Sequence, residues 1–179
     1  MVLSILEIIV DFVLIILLAL VVFYIVSIFN TIVSLRNSAN KAWANIDVLL
    51  KQRSDLIPNL VSVVKGYADY EQKTLIELTK LRAQLMRNDA LSAKAKASEG
   101  ISFALKSIFI TAERYPELKA DKHFMELQNQ LTSLENQIAD RREFYNNSVM
   151  LFNTRIKSFP DTLLVAILGY VEKEYFKRT

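Results

Sequence analysis

The single histidine, His123, is the residue best suited to bind a metal, and Glu126 follows it by three positions. That spacing places both side chains on one face of a helix. A helical bundle that holds two metals draws a Glu-x-x-His pair from each of two helices, together with further glutamates. One histidine cannot supply that set, and two ligands do not hold a structural zinc ion. We therefore expect a solvated histidine and no metal site.

The short patterns that mark common catalytic sites do not occur in this sequence. It contains no cysteine, which excludes disulfides, thiol catalysis and thiolate metal sites from this chain. No G-x-S-x-G pattern or phosphate-binding glycine loop is present, and three scattered glycines cannot form one locally. The sequence thus predicts no catalytic residues and no bound cofactor, and we expect the protein not to be an enzyme.

The charge balance is mildly basic, with 22 Lys and Arg against 19 Asp and Glu and a net charge of +3. A nucleic-acid-binding surface would show a clustered basic stripe interleaved with stacking aromatic residues. The charges here are spread along the chain instead. We predict no nucleic-acid partner.

An apolar segment near the N-terminus determines how the rest of the chain is organised. Residues 12–29 are uncharged, and with a few flanking residues they supply the ~20 helical residues that cross ~30 Å of hydrocarbon. The residues before this segment include Glu7 and Asp11 but no Lys or Arg, so a cleavable signal peptide is not indicated. We predict an N-terminal segment and transmembrane helix over residues 1–33, with the lipid bilayer as the first partner.

Basic residues after the apolar segment predict its orientation. Arg36, Lys41, Lys51 and Arg53 follow it closely, and an excess of Lys and Arg marks the cytoplasmic side of a membrane. The expected topology is single-pass in the cell membrane, with the N-terminus outside. Residues 34–179 then form one cytoplasmic domain.

The domain has a helical period and few turn residues, which indicates an all-α fold of long helices. Neither Gly nor Pro occurs before Pro58, so the membrane span is expected to continue into the domain as one rigid helix. Pro58 marks the first break, with Asp55 as a candidate N-cap, and Asn88 and Asp89 mark a turn. The predicted helices cover about 34–57, 56–87, 91–115, 121–158 and 160–169.

The last predicted helix is apolar on all sides but too short to cross a membrane. It has three possible roles: capping the open end of the bundle, lying at the membrane surface, or packing against another subunit. The residues in question are Leu163, Leu164, Ile167 and Leu168. The mixed-charge stretch EKEYFKRT that ends the chain is expected to be peripheral.

Several long stretches of the chain resemble the LemA family. They are LRNSANKAWANIDVLLKQRSDLIPNLVSVVKGYADYE over 35–71, AERYPELKADKHFMELQNQLTSLENQIADRREFYNNSV over 112–149, FNTRIKSFP, and the closing LGYVEKEYF. The resemblance implies a membrane-anchored antiparallel helical bundle with a short N-terminal segment outside, in a family without an established biochemical activity. Some relatives are associated with magnetosome formation, which points toward membrane organisation.

Residues that match the family's motifs are the candidates for a functional site, and a structural role is the favoured interpretation. Asn and Asp near Pro58 suit caps and turns, and Asn146 and Asn153, seven apart, suit hydrogen bonds to a neighbouring helix. Arg142 falls on the apolar seam, where it is either buried with a carboxylate or extends its stem along the core. The structural or partner-facing candidates are Trp43, Asn45, Asp47, Arg53, Asp55, Pro58, Asn59, Glu113, Pro116, Arg142, Asn146 and Asn153; Glu135 and Asn136 also match.

Two functions fit these observations. The first is a membrane-anchored, non-enzymatic scaffold that forms a homo-oligomer and organises or remodels the membrane. The second is a membrane-tethered binding module that recruits a cytoplasmic or membrane protein partner, such as a protease or a signalling protein.

Overall fold

The structure, a computed structural model, describes residues 2–67, 72–87 and 90–176, without the side chains of residues 2–6 and 8. Six helices and no strands occur in these residues, which confirms the predicted all-α fold with a long apolar N-terminal helix. The helices are α1 (Val2–Lys65), α2 (Gln72–Arg87), α3 (Leu91–Ala112), α4 (Pro116–Ala120), α5 (Lys122–Lys157) and α6 (Asp161–Leu168).

Helix α1 is 64 residues long and joins an exposed apolar part to a buried part without a break. Its large apolar side chains are exposed from Ile9 onward, whereas Ile28 and Ile32 are buried against the rest of the protein. Among the described helices, α1 alone is long and apolar enough to cross a membrane. At ~1.5 Å per residue it extends for about 95 Å.

The predicted helix break at Pro58 is wrong, because Pro58 lies inside α1 and Asp55 is an exposed mid-helix residue instead of an N-cap. Proline removes the N–H that would bond the carbonyl four residues earlier, that of Ser54. Arg82 of α2 replaces the missing donor, with its Nε 2.8 Å from the Ser54 carbonyl oxygen. The helix therefore continues to Lys65 and ends at a turn that includes Gly66.

The remaining predicted boundaries agree with the structure more closely. Asp121 caps α5 by accepting a hydrogen bond from the Phe124 N–H at 2.9 Å. Residues 116–120, which lie between two of the predicted helices, form the short helix α4. The predicted turn at Asn88 and Asp89 lies outside the described residues, as do residues 68–71 of the predicted helix 56–87.

Helices α1, α2, α3 and α5 alternate in direction and form an antiparallel bundle. Helix α2 returns along α1, bringing Arg82 to Ser54, and packs on α3, where a Cβ added at Gly100 would approach Leu81 to 2.9 Å. Helix α5 runs antiparallel to both α1 and α3, so that Phe109 and Phe124 meet near one end with ring centroids 6.2 Å apart.

Two apolar clusters hold this bundle together. The larger fills the space among the four long helices and includes Ile46, Leu60, Leu78, Ile108 and Leu131. The smaller lies beside the exposed part of α1, where α1 meets the end of α5 and α6. Its buried members are Ile28, Ile32, Phe152, Ile156 and Val165.

The chain after α6 returns along the bundle, contrary to the prediction of a peripheral end. Gly169 ends α6 with a φ of 68°, a left-handed conformation that favours glycine. Residues 170–176, here called the closing segment, form no helix or strand and end in a phenylalanine, Phe176, that is 2% exposed. Burial of that ring holds the closing segment against the core, which the mixed charge of the segment did not indicate.

Candidate functional site

Two asparagines of α5, Asn146 and Asn153, bind the backbone of the closing segment and are called here the asparagine clamp. The Asn153 side chain donates to the Lys173 carbonyl and accepts from the Lys173 N–H, both at 2.9 Å. Asn146 makes the same pair of bonds with Phe176, at 3.2 and 2.8 Å. Each amide thus satisfies a backbone donor and acceptor as a neighbouring strand would.

The spacing of the clamp matches the spacing of its target. Seven residues of α5 separate Asn146 from Asn153 and rise about 10 Å, while the three residues from Lys173 to Phe176 span about 10 Å in extended form. The sequence analysis placed these asparagines on one helix face but expected a helix as their partner. The partner is instead an extended backbone, which runs antiparallel to α5.

Aromatic side chains surround Phe176 at the end of the closing segment. The Trp43 ring lies 6.0 Å from the Phe176 ring and 5.9 Å from the Tyr145 ring, measured between centroids. The Arg142 guanidinium stacks on Phe176, 4.6 Å from the centroid of that ring. Arg142, which falls on the apolar seam of α5, thus covers an aromatic ring. The Lys94 ammonium lies over the Trp43 ring, 5.9 Å from its centroid.

Polar contacts hold the rest of the closing segment against α1 and α5. Lys173 Nζ donates to Asn40 Oδ1 at 2.8 Å, and burial together with nearby Arg36 lowers the pKa of Lys173. Tyr145 donates its hydroxyl to the Glu174 carbonyl at 2.9 Å, and burial raises the pKa of Tyr145 to about 12.

A second polar cluster surrounds Arg53, whose side chain is fully buried. Its Nη1 pairs with Glu135 and lies 3.0 Å from Ser102 Oγ, and its Nη2 donates to Ser98 Oγ at 2.7 Å and to the Ser98 carbonyl at 3.1 Å. Ser102 in turn donates to Glu135 at 2.7 Å. Burial lowers the pKa of Arg53, and the charge and hydrogen bond of Glu135 act in the opposite direction. This cluster joins α1, α3 and α5 through the Arg53–Glu135 ion pair and the hydroxyls of Ser98 and Ser102.

The carboxylate of this cluster opens into a groove between α3 and α5. The α3–α5 groove has a volume of about 690 Å³ and includes apolar and charged side chains from both helices. Phe103 and Ile110 line it while being 77% and 58% exposed. Its other lining residues include Lys106, Gln128, Thr132 and Glu135.

The other candidates from the sequence are dispersed over the bundle. Asp47 of α1 pairs with Lys94 of α3, and Glu113 pairs with Lys119 across the α3–α4 turn. Pro116 begins α4. Among these candidates, Asn45, Asp55, Pro58 and Asn59 are exposed on α1, and Asn136 is exposed on α5.

The apolar candidates of α6 divide between two environments. Leu164 packs against the smaller apolar cluster, beside buried Val165. Leu163, Ile167 and Leu168 point away from it and are 61%, 82% and 42% exposed.

Metal-ligating side chains do not converge in the described part of the chain, where no three His, Asp or Glu residues could share one ion. His123 and Glu126 lie together at a shallow pocket that Asn59 also lines. The polar groups that do converge bind backbone or neutralise one another, so the arrangement holds the chain together.

The structure therefore brings four sequence candidates into one site, Trp43, Arg142, Asn146 and Asn153, and adds residues that the sequence analysis missed. The added residues are Asn40, Tyr145, Lys173 and Phe176. The seven-residue spacing of the asparagines was the one signal for this site. It could not identify a partner 20 to 30 positions away.

These features define an all-α bundle that is built on one helix of membrane-spanning length and closed by its own C-terminal segment. The chain belongs to the LemA family, whose sequence profile matches residues 42–179. The resemblance seen in the sequence is thereby confirmed.

Individual relatives are 24% identical to this chain within the matched stretch. It is 24% identical over 175 residues to magnetosome protein MamQ 2 of Paramagnetospirillum magneticum, in a match covering 83% of this chain and 64% of the relative. It is also 24% identical over 151 residues to protein LemA of Metamycoplasma hominis, covering 83% of this chain and 69% of the relative. The chain thus spans less than two thirds of the length of its magnetosome relative.

Proposed function

We propose that this protein is a non-enzymatic, membrane-anchored scaffold that self-associates and organises or remodels the membrane. One observation carries the proposal: α1 continues without interruption from its exposed apolar part into the core of the bundle. A rigid helix transmits the tilt and rotation of its membrane span to everything packed on it. Many copies that associate through their bundles would therefore impose a common orientation on their spans.

The junction between span and bundle supports this mechanical coupling. Ile32 of α1 is buried against Phe152 and Ile156 of α5, so a second long helix braces α1 at the point where it leaves the apolar part. Ala39 and Ala42 are buried about two and three turns later. A hinge at this point would have to break packing contacts as well as helical hydrogen bonds.

The similarity to magnetosome proteins also favours a role at membranes over catalysis. The pairing of buried Arg53 with Glu135 also favours a role other than catalysis, because it gives this charged side chain a structural role. The proposed place of the protein is the cell membrane.

The proposed topology puts the N-terminus outside and the bundle in the cytoplasm, because Arg36, Lys41 and Lys51 follow the span. The chain has no cysteine, so a maleimide labels only a cysteine that is introduced, and single introduced cysteines can report the topology. We expect a membrane-impermeant maleimide to label Ser4→Cys in intact cells and Asn45→Cys only after permeabilisation. The reverse pattern would place the bundle outside and remove this topology.

The scaffold proposal predicts oligomers and a change in membrane shape. We expect the protein in mild detergent to form assemblies larger than one copy, and reconstituted protein to deform liposomes. A matched pair of variants separates rigidity from association: Asn37→Gly/Ser38→Gly softens α1 at two exposed positions, and Asn37→Ala/Ser38→Ala keeps it helical.

The softened variant should assemble but lose its effect on liposomes, and the alanine variant should behave like the unaltered protein. A monomer at every concentration, without effect on liposomes, would contradict the scaffold proposal.

A second function, recruitment of a cytoplasmic protein, is favoured by the α3–α5 groove. Phe103 and Ile110 expose apolar surface beside charged residues, as binding surfaces commonly do. A photo-crosslinking amino acid at Phe103 should then capture one foreign protein in a fixed ratio from cells. Capture of the protein's own copies would instead support the scaffold.

A further inference from the structure

Helix α6 and its flanks carry an exposed apolar face that the bundle does not cover. Leu163 and Ile167, four residues apart, share one face of α6 and are 61% and 82% exposed. Phe159 before the helix and Val171 after it are 80% and 78% exposed. Four large apolar side chains within thirteen residues are unusual on a surface that faces water.

The packing of α6 fixes how far this face lies from the membrane. Its inner side, through Val165, contacts the cluster that contains Ile28 and Ile32 of α1. The uncharged run of α1 begins at Phe12, so about 20 helical residues reach the far edge of ~30 Å of hydrocarbon near Ile32. Helix α6 therefore lies at the level where hydrocarbon gives way to headgroups.

Helix α6 also lies close enough to α1 for the same bilayer to reach its outer face. Helices in contact have axes about 8–10 Å apart, and an interfacial helix buries its apolar face ~5–10 Å into the boundary between headgroups and acyl chains. Flanking groups suit that boundary, because Lys157 pairs with Glu172 at 2.8 Å and Tyr170 packs under Arg36 at 5.2 Å. Amphipathic aromatic residues are enriched at this depth.

We propose that the outer face of α6, with Phe159, inserts into the leaflet on the bundle side and forms a second membrane contact beside α1. The face lies beside the end of the span, so the bilayer that surrounds α1 reaches it without any further partner. A single span can rotate about its axis and tilt. A second contact fixed to α1 through Val165 sets both angles, which is what a scaffold that orients spans requires.

This proposal rests on the membrane anchoring proposed above, and its test reports the two separately. Single cysteines replace Ile167 and Leu163 on the outer face, Leu17 within the span, and Phe103 on α3, which is 77% exposed and remote from the span. Each carries a polarity-sensitive fluorophore in full-length protein reconstituted into phosphatidylcholine vesicles, with or without lipids bearing a quencher at the headgroup–acyl boundary.

We expect quenching at Ile167 and Leu163 comparable with that at Leu17, together with a blue-shifted emission, and no quenching at Phe103. If Leu17 is quenched and the α6 positions match Phe103, anchoring holds and the second contact is wrong. If Leu17 is not quenched, anchoring itself fails.

A second copy of the chain is the competing occupant of this face. It would shield Ile167 and Leu163 from water to a degree that rises with protein density and would leave them insensitive to the lipid quencher. That result would overturn the lipid assignment. Quenching that persists when the protein is diluted into excess lipid supports it.

Discussion

Arg82 of α2 donates a hydrogen bond from its Nε to the Ser54 carbonyl oxygen of α1, at 2.8 Å. That oxygen is the acceptor that Pro58 leaves without a helical donor. Because proline also clashes with the preceding turn, an interior proline usually bends or ends a helix. Here a side chain from another helix supplies the missing bond, so α1 remains continuous for another two turns.

Arg82 and Pro58 should therefore be energetically coupled. We expect Arg82→Met, which keeps the stem and removes the donor, to lower the free energy of unfolding by about 1–3 kcal/mol. In a Pro58→Ala background the alanine N–H bonds Ser54, so the same change should cost much less. Denaturant unfolding of the four proteins measures the coupling. Lys80→Ala, at an exposed position of α2, is the control, and equal costs in both backgrounds would disprove the coupling.

The asparagine clamp should control release of the closing segment. Asn153→Ala leaves the backbone N–H and carbonyl of Lys173 without partners, at a cost of about 1–3 kcal/mol. We expect faster trypsin cleavage after Lys173 and a change in the fluorescence of Trp43 as Phe176 leaves it. Asn147→Ala, an exposed neighbour on α5, should change neither measurement. A clamp variant as resistant to trypsin as the unaltered protein would contradict this role.

The ion pairs of Glu135 with Arg53 and of Glu113 with Lys119 should contribute differently to the free energy of unfolding. Glu135→Ala leaves the guanidinium of fully buried Arg53 without its counter-charge, which costs about 3 kcal/mol. Glu113→Ala breaks an exposed pair with Lys119 and should cost less than about 1 kcal/mol. Removing both charges of the pair, in Arg53→Met/Glu135→Ala, should restore part of the loss. Unfolding curves that show equal costs for the two single changes would refute the comparison.

Tyr145 should make the fold sensitive to alkaline pH. Burial raises the pKa of Tyr145 from 10.0 to about 12, so the folded protein keeps this proton at pH values where the unfolded chain loses it. Its stabilising contribution is complete below pH ~10 and is lost as the pH rises to ~12, by about 2 kcal/mol in total. Tyr145→Phe should lack that part of the decline. Unfolding of both proteins between pH 9 and 12 tests this, and parallel curves would rule it out.

Local patterns made the helical fold predictable. The helical period of Ile46, Leu127 and similar residues depends only on neighbours within two turns, and so does the uncharged run of the span. The family motifs were equally readable, because they are contiguous. What failed was each inference that needed a contact distant in the sequence, namely the helix break at Pro58 and the peripheral position of the mixed-charge stretch that contains Phe176.

The sequence by itself determined an all-α chain with one apolar helix of membrane-spanning length, because hydropathy and helical period are properties of consecutive residues. The tertiary structure alone decided that α1 passes through Pro58, since this depends on Arg82 arriving from α2. It also decided that the chain end folds back to bury Phe176, since this depends on two asparagines of α5 meeting an extended backbone. Satisfying a buried polar group requires a partner in space, and the order of residues does not name that partner.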